Sequence, residues 1–477
     1  MHCAILFQLK SVFRAIQNDS WTVNKHTLPR TTSSKKSHGS KPSRFTGWTT
    51  IRWGKLSLRG WAELLCFVAA VACICAILFV RRERIEYRPG HTFTVDDPAF
   101  FGSAHAAANP VPIEGNRITL LHNGNGIFPV MLEAIRSARK TVNFEAFLFH
   151  SGTVGTQFID AFCERARAGV QVRIMLDGIG SGLDLKNTDV DKLTQAGCKF
   201  AYYHPTRALR VDRINRRTHR RVLVLDGQVA FTGGVGFADE WQGDGAKPDN
   251  WREVHAKLEG PMVAQLQSAF QQHWLGETKE LLTGPDHFPV LQPAGNLRTQ
   301  VTSSDEFTVA ALPLIQAVSI AAAVKTIYIT NPYCTPTDDQ IWLLSEAVKR
   351  GVDVKMLLPG KHNDQPATKA AGRGSYGKLL AAGVKIYEFT PTMIHSKTLV
   401  VDGKFSMFGT SNLDARSSLI NEEIDITVYD DSFGAEMDRV FLQDLKSARE
   451  YKLEDFNKRP LSERFSEWVV LPFQSQL

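Results

Sequence analysis

His219-Arg-Arg-Val-Leu-Val-Leu-Asp226-Gly227 and His395-Ser-Lys-Thr-Leu-Val-Val-Asp402-Gly403 are two copies of one pattern, 176 residues apart. In an extended strand residues i and i+2 point the same way. His219 therefore shares a face with Arg221, and His395 with Lys397. Each Asp-Gly pair signals a tight hairpin, with return strands expected at 228–231 and 404–408. These end in Gly233-Gly234 and in Gly409-Thr410-Ser411-Asn412. One such copy would read as a solvated strand face and a turn. Two copies with the same spacing point to one site built from two halves. Two imidazoles and two cations on one ligand suit a phosphate, which accepts charge-assisted hydrogen bonds from Arg and Lys. Asp226 and Asp402 keep two readings: turn formers, or carboxylates that orient a catalytic imidazole.

The surroundings repeat too. Gly169-Val-Gln-Val-Arg-Ile-Met-Leu-Asp-Gly178 matches Gly351-Val-Asp-Val-Lys-Met-Leu-Leu-Pro-Gly360, and Ala196-Gly197-Cys-Lys-Phe matches Ala382-Gly383-Val-Lys-Ile. Each half reads as helix, buried strand, helix, strand and motif hairpin, an α/β pattern. A Gly284-Pro285 break and Pro293 place the junction between halves near 282–296.

Further blocks include Phe231-Thr-Gly-Gly-Val-Gly-Phe-Ala-Asp-Glu-Trp241, Trp251-Arg-Glu-Val-His255, Ile329-Thr-Asn-Pro-Tyr333 and Gly409-Thr-Ser-Asn-Leu-Asp-Ala-Arg-Ser417. With the paired motif, they make the chain resemble the phospholipase D superfamily, and within it the bacterial cardiolipin synthase type, over roughly 118–445. The resemblance implies two similar α/β/α domains packed as a pseudo-dimer, at 116–290 (motif 213–240) and 291–450 (motif 389–416). It departs in one cation, since Arg221 stands where the family pattern has lysine and a planar fork is not a compact ammonium. It is also uneven after the motifs: Ser411 and Asn412 correspond to Val235 and Gly236.

The resemblance implies a two-step displacement at a phosphodiester. One histidine, taken as His219, forms a phosphohistidine, and the other, His395, acts as acid and then base. Arg221 and Lys397 hold the non-bridging oxygens, joined by Ser411 and Asn412. Glu423 and Glu253 are candidates to orient the histidine of the opposite half. No cofactor is implied, and the cysteines and histidines lack zinc-like spacing. The implied reaction joins phosphatidylglycerol and a second phospholipid into cardiolipin and releases glycerol. Hydrolysis of a lipid or other phosphodiester, and lipid binding without catalysis, stay open.

The N-terminal part directs the chemistry toward lipid. Residues 64–80 are an unbroken apolar run, so 61–82 is expected to be one transmembrane helix, with a secretory signal as the rival. The chain is +7 overall, yet residues 1–60 carry eleven Lys/Arg and one acid, leaving the remainder near −3. A nucleic-acid enzyme would spread basic charge over its catalytic part, so no nucleic-acid partner is expected. The 1–60 tail reads as disordered and drawn to anionic headgroups, or as a transit peptide. The apolar run makes a single-pass protein of a cell membrane the expectation, and the resemblance implies the bacterial inner membrane. Residues 83–115 read as a linker. In 451–477, Leu461, Phe465, Trp468 and Val469 recur at helical spacing, expected to pack on their own domain, with an interfacial membrane contact through Trp468 and Arg464 as the alternative. Arginines 207, 210, 213, 216 and 217 crowd the approach to His219 as a solvated loop or a lipid-phosphate contact.

Overall fold

The computed structural model describes residues 88–97, 100, 103, 111–205, 215–304 and 311–470. The first half runs β1 (Ile113–His122), α1 (Asn123–Ser137), β2 (Thr141–Ala146), α2 (Thr153–Arg167), β3 (Gln171–Asp177), α3 (Asn187–Gln195), β4 (Lys199–Tyr203), β5 (Arg221–Leu225), β6 (Val229–Gly233), β7 (Val254–Glu259) and α4 (Val263–Thr278). The second half repeats it: β8 (Leu297–Ser303), α5 (Ala311–Ala322), β9 (Thr326–Thr330), α6 (Asp338–Lys349), β10 (Asp353–Pro359), α7 (Pro366–Ala381), β11 (Lys385–Phe389), β12 (Thr398–Val401), β13 (Phe405–Gly409), α8 (Ala415–Leu419), β14 (Ile424–Tyr429) and α9 (Asp431–Leu445). It then adds β15 (Ala448–Tyr451), α10 (Leu453–Asn457) and α11 (Leu461–Val470).

All these strands form one sheet, ordered β15-β11-β10-β9-β12-β13-β14-β8-β1-β7-β6-β5-β2-β3-β4. The succession β4-β3-β2-β5-β6-β7-β1 recurs as β11-β10-β9-β12-β13-β14-β8, and the halves meet where β1 and β8 pair antiparallel. Within each half the first three strands are parallel and the motif hairpin adds antiparallel ones. β2 is buried on both faces although its sequence alternates apolar and polar residues, because α4 partners the polar Asn143 and Glu145: Asn143 donates to Gln267 at 3.0 Å and Glu145 pairs with His273 at 2.6 Å.

Helices cover both faces. Ile127, Phe128, Phe158 and Phe162 of α1 and α2 build one core against β2 and β3; Leu312, Ile315, Leu343 and Leu379 of α5 to α7 build its counterpart. On the other face α4 (Phe270, Trp274) and α9 (Phe433, Phe441) share a core with β-strand residues of both halves. That shared core joins the two halves through apolar burial.

Two expectations are corrected. Part of the 83–115 linker is folded onto the second half: Phe100 is fully buried, edge-on to Phe405 at 5.5 Å, and Phe93 packs beside it. Its rings are apolar enough to leave water, although they lack periodicity. The C-terminal helix forms as α11, Leu461–Val470, but with the opposite face inward. Leu461, Phe465, Trp468 and Val469 are exposed, whereas Glu467 is buried against Arg459 at 3.0 Å and Glu463 pairs with Arg373 of α7 at 2.7 Å. Ion pairs, not the apolar stripe, dock it. Among the described residues no helix is long and apolar enough to cross a membrane, and the 61–82 segment lies outside them.

Candidate active site

The residue before each motif histidine forms a parallel bridge to the other half, Thr218 with Glu422 and Ile394 with Arg252. His219 N donates to Glu422 O at 2.8 Å, and His395 N donates to Arg252 O at 2.8 Å. This crossing delivers the next residue, Glu423 or Glu253, to the histidine. Nδ1 of His219 hydrogen-bonds both oxygens of Glu423 at 2.9 and 2.8 Å, and Nδ1 of His395 donates to Glu253 Oε2 at 2.7 Å. A carboxylate on Nδ1 fixes the tautomer and leaves Nε2 for chemistry. Each carboxylate is itself held. Thr410 Oγ1 and Ser417 Oγ donate to Glu423 at 2.6 and 2.7 Å, while Trp241 Nε1 and Val254 N donate to Glu253 at 3.3 and 2.9 Å.

The cations lie in the same cluster. Arg221 donates to His219 O, and Lys397 Nζ donates to His395 O at 2.7 Å while sitting 3.1 Å from both ring nitrogens of His395. Rings pack the imidazoles: Phe147 edge-on to His219 at 5.1 Å, and Trp241, Trp251 and Tyr333 within 5.8 Å of His395. Ser411 and Asn412 are also buried here, and Asn412 Oδ1 has no hydrogen-bond partner among the described residues.

Burial and crowded positive charge set the ionisation. Burial, then Arg221, Lys397 and Arg416, hold His219 well below the usual histidine range. Burial, then Lys397, takes His395 to about 3, although Glu253 opposes the fall. Burial lowers Lys397 to about 7 and Arg221 to about 10, against the pull of the two glutamates. The glutamates differ. Burial pushes Glu423 up to about 7, whereas the His395 hydrogen bond and neighbouring charge outweigh burial at Glu253 and leave it near 2. Each imidazole feels both cations, so the four groups form one electrostatic unit.

Asp226 and Asp402 do not join it, which corrects their placing among the catalytic residues. They sit at the far end of the hairpins, five residues along from the cation, roughly 16 Å at strand rise. Both are left-handed (φ 52° and 55°), as are Gly227 and Gly403, the pattern of a type I′ turn. The Asp226 carboxylate accepts from Arg139 N, Lys140 N and Thr141 N at 2.7–2.9 Å, and Asp402 accepts from Val324 N, Lys325 N and Thr326 N at 2.7–3.0 Å. Each pins the start of the neighbouring strand. Asp226→Ala is thus expected to cost about 2–4 kcal/mol in urea unfolding, from lost charge-assisted hydrogen bonds, with activity per folded molecule unchanged. A fall in activity at wild-type stability would refute this anchoring role.

Of the arginine-rich approach, Arg216 and Arg217 turn inward to Glu422 (3.8 Å) and Asp177 (3.3 Å); positions 207, 210 and 213 lie outside the described residues. Unanticipated by sequence reasoning were Phe147, Trp241, Trp251 and Tyr333 around the imidazoles, Thr410 and Ser417 under Glu423, and Arg416. All but Phe147 fall inside blocks that repeat or flank the motifs, a signal that marks a neighbourhood without assigning roles.

Fold and site together define a class: a mixed α/β, phospholipase D-like protein whose two halves each lend a histidine, a cation and a crossed carboxylate to one centre. The family described as "Cardiolipin synthase, PLD-like domain" matches residues 131–274 and 317–445, and the chain belongs to it. It is 32% identical over 372 residues to a cardiolipin synthase of Clostridium perfringens (strain SM101 / Type A), covering 76% of this chain and 77% of that one. It is also 32% identical over 365 residues to a cardiolipin synthase of Geobacillus kaustophilus (strain HTA426), covering 76% and 72%. Among solved structures, phosphatidylserine synthase of Haemophilus influenzae Rd KW20 shares the fold, with TM-score 0.60 and 13% identity over 79% of this chain and all of that one.

Proposed function

We propose that this protein is a phosphatidyltransferase that makes cardiolipin from phosphatidylglycerol and a second phospholipid, through a phosphohistidine. The observation that carries the reading is the pair of buried imidazoles, each held at Nδ1 by a glutamate of the other half. Relatives named cardiolipin synthase, matched over most of their length, support the lipid substrates. We assign His219 as nucleophile on the resemblance, with burial first and then Arg221, Lys397 and Arg416 keeping it neutral. Its Nε2 forms a bond to phosphorus as the bond to the glycerol oxygen breaks. His395, neutral in the free protein, takes up a proton once the anionic phosphodiester offsets Lys397 and Arg221; the firmly ionised Glu253 stabilises that imidazolium, which then protonates the departing alkoxide. A hydroxyl of the second lipid then gives its proton to His395 and attacks phosphorus. The P–N bond breaks and His219 returns neutral. Arg221 and Lys397 carry the charge on the non-bridging oxygens, with Ser411 and Asn412 beside them. The two halves act as a pseudo-dimer of phospholipase D-like domains.

A lipid acceptor implies work at a membrane. We assign 61–82 as the anchor, on its apolar run, in a bacterial inner membrane. The outward Leu461, Phe465, Trp468 and Val469 stripe, with Arg464 beside it, suits an interfacial contact. The test is to incubate detergent-solubilised protein with labelled phosphatidylglycerol and identify the products. Cardiolipin with free glycerol is expected. Phosphatidic acid alone would make it a hydrolase, and no turnover with wild type and His219→Ala alike would leave lipid binding.

A further inference from the structure

Each half carries the same three-strand row of cation, glycine and third residue. Continued two residues past its last pair, Leu223 with Phe231, the β5–β6 register sets Arg221 opposite Gly233, and Gly233 pairs with His255 on β7. In the second half Gly409 N donates to Lys397 O at 3.3 Å, and Gly409 pairs with Asp425 on β14. Residues aligned across neighbouring strands project from one face of a sheet. The glycine between them is a gap, and the third residue leans into it. A Cβ on Gly233 would lie 2.7 Å from His255 Nδ1, and one on Gly409 would collide with Asp425 Oδ1.

The two rows are filled differently. Asp425 accepts from Thr410 N at 2.7 Å and Ser411 N at 3.1 Å, and it lines with Lys397 and Ser411 a cavity of about 30 Å³. His255 is 1% exposed, and neither of its ring nitrogens has a hydrogen-bond partner among the described residues; the same holds for Arg221 Nε. A buried imidazole left unmatched requires an account. The first half has exchanged both members of the row together, Arg with His in place of Lys with Asp. A carboxylate beside a guanidinium would close a bidentate pair and draw the fork away from a phosphate. A neutral imidazole accepts a single N–H and leaves the positive charge available.

We infer that His255 is a positioning residue for Arg221: one ring nitrogen takes the Nε–H while Nη2 holds phosphate, so His255 serves Arg221 from the row position that Asp425 fills in the second half. This rests on the phosphate-binding reading of Arg221 and adds the residue that aims it. The test is a double-mutant cycle on the solubilised full chain, using Arg221→Lys, His255→Asp and the double variant, with His255→Gln and His255→Ala alongside. The readouts are inorganic phosphate affinity by calorimetry and kcat/KM for phosphatidylglycerol transfer. Each cycle single is expected to weaken phosphate binding about tenfold, and the double to return within about threefold of wild type, the coupling of residues in contact. His255→Gln, still a neutral acceptor, is expected to hold affinity that His255→Ala loses. Losses that multiply in the double, or Gln and Ala variants that behave alike, would overturn the pairing. A wild type that binds phosphate with this coupling yet transfers no lipid would overturn the lipid reading alone.

Discussion

His219→Ala is expected to abolish cardiolipin formation, with a loss of roughly 10⁴-fold or more, the scale set by removing one member of a nucleophile–base unit. His395→Ala is expected to lose turnover with natural substrate to a similar extent, since neither the glycerol alkoxide nor the incoming hydroxyl would then have a proton partner. The two variants separate when the leaving group needs no acid. With a phosphatidyl ester of p-nitrophenol, His395→Ala should release about one equivalent of nitrophenol per protein and stop, because the deacylation-like second step still lacks its base. The trapped species should be acid-labile and alkali-stable, as a phosphoramidate is. His219→Ala should give no burst. A burst from His219→Ala instead would reverse the two roles, and near-normal activity in either variant would dissolve the composite site.

The legible parts of this molecule are those written in short-range periodicity. The strand alternation puts His219 with Arg221 and His395 with Lys397 on shared faces, and the repeated helix–strand blocks give the matching halves. What aims the imidazoles is not local. Glu423 reaches His219 across 204 positions and Glu253 reaches His395 across 142. Those pairings depend on the bridges Thr218–Glu422 and Arg252–Ile394, which no spacing rule encodes. Asp226 shows the opposite failure. Its fixed spacing from His219 is real, but the spacing belongs to the hairpin, and seven residues of strand rise put it too far from the imidazole. For α11, amphipathicity marks an apolar stripe yet not the side that docks; Arg373 and Arg459 decide that by pairing with Glu463 and Glu467.

Lys397→Met is expected to cost roughly 10³-fold in kcat/KM, the upper range for removing one electrostatic donor to a developing oxyanion, and yet to raise stability. Lys397 is 4% exposed and burial lowers it from 10.5 to about 7, more than Glu253 and Glu423 restore. The charged ammonium is therefore held at a net cost to folding, on the order of 2 kcal/mol when relaxation is allowed for. The sign fixes the pH window. Below pH 7 the amine is charged in both folded and unfolded chains, and the cost is complete. Between about 7 and 10.5 the folded protein has shed a proton that the unfolded chain keeps, so the cost declines, and above both values it is gone. The variant's advantage in thermal melting should thus be largest near pH 6 and shrink as pH rises. Over the same interval kcat/KM of the wild type should fall from about pH 7, since that ratio reports ionisations of the free enzyme. Arg221, lowered only to about 10, would sustain residual phosphate binding there. A variant less stable than wild type at pH 6 would mean that Lys397 repays its burial through the two glutamates, and its presence beside His395 would then be structural as much as catalytic.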